Sequence, residues 1–161
     1  MTKKIISYLN DFLKEAEQAF TYQKVFDSLG ISSFLKEKYI DVAILDKKYI
    51  NLIYNSVKKF IKQPLFKDLD LKDENDLKFL KDNDFFKTHQ QEVIESIQKK
   101  LKPYEKKVLN YLKIYPSKEE ISLEEISKAV KLDKTSLLFV LDNLKENDEI
   151  YDYNGREVTL K

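Results

Sequence analysis

The C-terminal stretch Ile121-Ser-Leu-Glu-Glu-Ile-Ser-Lys-Ala-Val-Lys-Leu-Asp133, continued by Leu137-Leu-Phe-Val-Leu-Asp-Asn-Leu144 and Tyr153-Asn-Gly-Arg-Glu-Val158, decides the fold of this chain. Ser122-Leu-Glu-Glu125 has the form of a capping box: the Ser hydroxyl satisfies the backbone donor three residues on while Glu125 reaches back, so a helix starts at Leu123. Leu123, Ile126, Ala129 and Val130 then share its apolar side. Leu132-Asp133-Lys134 makes a tight turn, and Asp133 caps a following helix that buries Leu137, Leu138, Leu141 and Leu144. Glu149 to Tyr153 and Arg156 to Leu160 are β-prone runs that bracket Asn154-Gly155, a pair suited to a hairpin turn because both residues tolerate positive φ. Upstream, Val108, Leu109 and Leu112 mark one more helix, which Pro116-Ser117 breaks.

Three helices followed by a hairpin, from 103 to 161, resemble the winged-helix (winged helix-turn-helix) superfamily, with the hairpin as the wing. A more distant resemblance links the helical region plus winged helix to PCI-type scaffold subunits, and the C-terminal half to the winged helices of ESCRT-II subunits. Both of these groups bind proteins. In DNA-binding winged helices the third helix enters the major groove, so the resemblance directs attention to the outward side of residues 134–146.

At about 100° per residue, with Leu137, Leu141 and Leu144 inward, the outward arc holds Thr135, Ser136, Phe139, Asp142, Asn143 and Glu146. It carries two carboxylates, one aromatic ring and no base. A phosphate backbone repels carboxylates, whereas an aromatic residue among polar ones is the pattern that protein interfaces enrich. Phe139, with Thr135, Asp142 and Glu146, is therefore expected to form a protein-binding face. The alternative is a DNA-binding regulator in which Lys134 and Lys145 flank the groove, Ser136 and Asn143 meet base edges, and Arg156 near the wing tip enters a minor groove. Residues 102–161 carry eleven basic and twelve acidic side chains, which weighs against a dedicated DNA reader.

The first hundred residues read as an α-helical unit, giving a mainly α chain divided into 1–102 and 103–161. Ile5, Leu9, Phe12, Leu13, Ala16 and Phe20 recur at three-and-four spacing, so residues 3 to 20 form an amphipathic helix that needs a partner surface, a second copy being one way to supply it. A further helical piece from Tyr22 to Leu29 ends at Gly30. Residues 31–45 are read as helical, with Phe34, Leu35, Tyr39 and Ile40 apolar. From Asp46 onward Ile50, Ile53, Tyr54, Val57, Phe60 and Ile61 line one face until Pro64 stops the helix. Residues 66–87 read as a mobile loop holding one short helix near Asp76 to Leu80. Thr88 with Gln91 resembles a capping box for a helix carrying Val93, Ile94, Ile97 and Leu101.

Composition excludes several function classes. The 161 residues contain 42% apolar side chains, two Gly, three Pro, 29 basic and 28 acidic residues, and every base but Arg156 is Lys. Such a chain folds, prefers helix, and has no overall charge bias toward polyanions. With no Cys and a single His, His89, it builds neither a disulfide framework nor a multi-histidine metal site; a reducing, cytoplasmic setting fits. No stretch reaches roughly 18 apolar residues, so no membrane span is expected. The acids from Asp68 to Asp76 lack the EF-hand spacing, and glycine-rich phosphate loops and nucleophile motifs are missing. The sequence thus offers no catalytic residues, no cofactor site and no metal site, and it points to a non-enzymatic module for protein interaction or complex assembly.

Overall fold

The computed structural model describes residues 2–61, 69–83 and 85–161, and it is mainly helical with a small C-terminal sheet. Helix α1, Thr2–Leu29, joins the two N-terminal pieces expected from the sequence into one rod. Gly30 ends it with φ 80°, the left-handed conformation that closes helices, and α2, Ile31–Glu37, follows at once. The expected helix through 45 breaks here. Tyr39 takes φ 66°, and the chain resumes as a 3₁₀ turn, Val42–Ile44, capped by the Asp41 carboxylate on the Ala43 N–H at 2.9 Å.

Helix α3, Lys47–Ile61, buries Ile53, Tyr54 and Val57 as the spacing predicts, and buries Tyr49 as well. The stop at Pro64 and the loop residues Phe66 to Asp68 lie outside the described residues, as do the side chains of Phe12, Ala16, Phe20 and Phe60. Helix α4, Glu74–Asp82, encloses the short helix expected near Asp76, and Asp73 caps it through the Asn75 and Asp76 N–H groups. Helix α5, Phe85–Lys100, begins one turn before Thr88, so the expected capping box at Thr88 and Gln91 lies inside the helix instead. After Leu101 alone, α6, Lys102–Leu112, starts with Pro103 in its first turn, where a missing N–H costs nothing.

The C-terminal part is winged-helix-like. Strand β1, Glu120–Ser122, leads into α7, Leu123–Val130; α8, Lys134–Glu146, follows, then β2, Asp152–Tyr153, and β3, Glu157–Thr159. Ser122 does cap α7, but on the Glu124 N–H, and the Glu125 carboxylate accepts from the Tyr115 hydroxyl instead of reaching back. Ala129 is exposed, so the buried side of α7 is Leu123, Ile126 and Val130. Asp133 caps α8 as expected, accepting from the Ser136 N–H at 3.1 Å.

The three strands lie in the order β1-β3-β2, antiparallel, with Tyr153 opposite Val158 and Ile121 on the far side of Val158. Strand β1 was not foreseen. The hairpin turn is shifted by one residue from the Asn154-Gly155 expectation. Asn154 N–H donates to the Glu157 carbonyl, so Gly155-Arg156 forms the tip, and neither Asn154 nor Gly155 is left-handed. Asn154 acts through its side chain, which accepts from the Arg156 and Glu157 N–H groups at 2.7 and 2.9 Å.

Helix α3 packs on α5, the second half of α1 on α2 and α4, and α5 on both α6 and α8. Buried side chains from both halves, from Phe26, Ile53 and Ile94 to Val108, Ile126 and Leu137, form one cluster. The two glycines differ in a testable way. A Cβ on Gly30 would force an L-residue to positive φ, and Gly30→Ala is expected to cost roughly 1–2 kcal/mol. At Gly155 a Cβ would meet Tyr39 at an ordinary 3.7 Å, so Gly155→Ala should leave the melting temperature nearly unchanged. Equal losses at both sites in thermal unfolding would contradict this assignment.

Candidate functional site

Five consecutive apolar residues, Leu137-Leu-Phe-Val-Leu141, exceed one turn of helix and therefore present hydrocarbon in every direction. A helix of this kind must be covered all round. Residues 136 to 142 and Leu144 of α8 are indeed all buried, and Phe139 is 0% exposed. The expected protein-binding face is therefore corrected: Phe139 is a core residue, lying against Tyr49 of α3 with ring centroids 5.4 Å apart. Ser136, expected to meet base edges, is fully buried; its hydroxyl donates to Asp133 at 2.7 Å and accepts from the Tyr49 hydroxyl.

Asp142 is the most constrained residue on this face. It is 4% exposed, a costly place for a carboxylate unless it is paired and hydrogen-bonded. Lys38, just after α2, donates to Oδ1 at 2.8 Å, and the Tyr153 hydroxyl of β2 donates to the same oxygen at 3.0 Å. Gln98 of α5 donates to Oδ2 at 3.3 Å and to the Phe139 carbonyl at 3.4 Å. Burial first, and then the Asp142 charge, push the Tyr153 hydroxyl well above the ordinary tyrosine range, so it remains a donor. Lys38, Gln98 and Tyr153 were not singled out from the sequence, because their partner lies 104, 44 and 11 residues away along the chain.

The remaining candidates divide by position. Asn143 is half-buried and donates to the Glu105 carboxylate of α6. Thr135 is half-buried, and Lys134 and Glu146 are exposed at the two ends of α8. Lys145 pairs with Asp152 at 2.8 Å; this hydrogen bond raises the lysine pKa and lowers that of the aspartate. Arg156 is exposed at the hairpin tip. The hairpin is docked at its base, where Tyr153 meets Tyr39 edge-on with ring centroids 5.7 Å apart. The structure therefore does not gather Lys134, Ser136, Asn143, Lys145 and Arg156 into one open surface: two of the five are turned into the molecule and a third is paired.

No family model, curated protein or solved structure matches this chain.

Other features of chemical interest are local. Asp70, Asp73 and Asp76 serve as turn and cap acceptors, and among the described residues no group of three metal-ligating side chains is placed to hold an ion. His89 is half-buried in α5 with Nδ1 3.6 Å from the Glu92 carboxylate. Among the described residues no helix is long and apolar enough to cross a membrane. Exposed large apolar residues lie elsewhere, singly at Ile44, Ile114 and Tyr151 among others, and as a group on α1, where Ile5, Ile6, Leu9 and Leu13 are 53 to 61% exposed.

Phe139→Ala is expected to destabilise the protein by about 3–5 kcal/mol, the range for emptying a buried aromatic site, and Phe139→Asp to prevent folding. Circular dichroism and urea unfolding check both, and a stable Phe139→Asp protein would contradict the core assignment. Tyr153→Phe tests the buried network through pH. Because the folded-state pKa of Tyr153 is raised, its contribution is complete below about pH 10, where a free tyrosine begins to ionise, and is lost as pH rises further. The variant should be less stable at neutral pH and should lose stability less steeply above pH 10, by about one proton's worth of slope. An unchanged alkaline slope in unfolding titrations would refute the link.

Proposed function

We propose that the protein is a non-catalytic assembly module of winged-helix type that self-associates through the first half of α1. The C-terminal helix order and hairpin support the superfamily reading. The single observation carrying the function is the stripe Ile5, Ile6, Leu9 and Leu13, which stands on one side of a continuous helix and is more than half exposed. Isolated apolar residues on a surface need no explanation, but four at three-and-four spacing on a helix form a docking face.

The occupant assigned is the same stripe of a second copy. Two antiparallel α1 helices related by a two-fold axis at Leu9 place Leu9 against Leu9 and Ile5 against Leu13, so the surface is complementary to itself. Third-helix recognition of DNA is the less supported alternative, since Phe139, Ser136 and Asp142 are spent on intramolecular contacts.

Sedimentation equilibrium of the full chain tests the proposal. Wild type should form a concentration-dependent dimer, and Leu9→Asp with Leu13→Asp should be monomeric at the same concentrations while keeping the wild-type circular dichroism spectrum and a cooperative unfolding transition that no longer depends on protein concentration. A monomeric wild type, or a dimer that survives both substitutions, would overturn it.

A further inference from the structure

Charge is unevenly distributed along this nearly neutral chain. Residues 99–118 contain seven Lys, namely 99, 100, 102, 106, 107, 113 and 118, and one acid, Glu105, so the rest of the chain is net negative. All seven lysines are exposed. Among the described residues none of them has an ion-pair partner, in contrast to Lys24, Lys38, Lys128, Lys145 and Lys161. Lys107 only lies over the Tyr104 ring, 5.1 Å from its centroid.

Helix geometry sorts these charges onto one side. At about 100° per residue, Lys102, Lys113, Lys106, Asn110, Pro103, Ile114 and Lys107 of α6 and its last turn fall within an arc of roughly 140°. Every one of them is exposed, and none is acidic. Glu105 lies on the opposite side of the helix, where it accepts from Asn143. Lys99 and Lys100 extend the basic surface from the end of α5, and Glu119 and Glu120 bound it beyond Lys118.

We infer that this face of α6, with the end of α5, binds the phosphate backbone of nucleic acid without reading its sequence. Lysines held without internal partners keep their charge available for a polyanion, and as point charges they contact phosphates instead of base edges. A protein partner is disfavoured because interface cores are depleted in Lys. A membrane surface would require an inserted apolar side, and here Ile114 is the one large apolar residue on the arc. This route is independent of the third helix and of the α1 stripe.

Fluorescence anisotropy of a random-sequence duplex with the full chain tests the inference. Binding should weaken steeply between roughly 50 mM and 200 mM salt. Lys102→Glu, Lys106→Glu and Lys107→Glu together should lower affinity at least about tenfold at the lower salt, with the circular dichroism spectrum unchanged. The charge-matched set Lys128→Glu, Lys134→Glu and Arg156→Glu should change it by less than about threefold. Absence of wild-type binding at low salt, equal losses in the two sets, or a greater loss in the second would overturn the assignment. So would capture by phosphatidylserine vesicles in the absence of duplex binding.

Discussion

The Asp142 carboxylate and the Phe139 ring, one turn apart on α8 and both sealed from water, are the constraint on which the arrangement of this molecule depends. An aromatic ring and a charge on the same helical face impose different demands. The ring requires hydrocarbon cover, which α3 supplies through Tyr49. The charge requires donors, which come from three separate elements, at Lys38, Gln98 and Tyr153. Meeting both demands fixes α2, α3, α5 and the hairpin against a single helix. Removing one partner of a buried pair leaves an uncompensated charge, so each of the three donors is needed where it stands.

Helix α8, the third helix of the C-terminal part, and the hairpin that follows it form the inner surface between the two halves of the chain. Surface available to other molecules lies on different elements: an apolar stripe near the start of α1 and a basic arc on α6. A fold resemblance alone therefore does not locate a site on this chain.

Much of the architecture was legible from local chemistry. Ser122, Asp133 and Gly30 start and stop helices as their side chains or lack of one dictate, and the apolar spacing in α3, α5 and α7 located their cores. Other local rules failed, beyond the Glu125 arm of the capping box and the helix expected through residue 45. The Asn-Gly pair suggested a turn at Asn154-Gly155, but the Asn154 side chain captured two backbone donors and moved the tip one residue on. Thr88 resembled a cap, yet the helix had already begun at Phe85. The candidate site failed for another reason: periodicity assigned Phe139 to an outward arc by placing only Leu137, Leu141 and Leu144 inside. The signal for the correct answer was the unbroken run 137–141, which no single buried face accommodates. The partners of Asp142 were illegible because they are distant in sequence, and nothing local marks Lys38 or Gln98 as buried.

Hydrogen exchange of the α8 amides in the intact chain tests the central claim most directly. If the third helix is sealed on all sides, the amides from Leu138 to Leu144 should exchange only through global unfolding, at the same rate as those of α5 from Val93 to Ile97. Exchange of α8 through a local opening, markedly faster than that of α5, would show that this face is available to other molecules and would contradict the account.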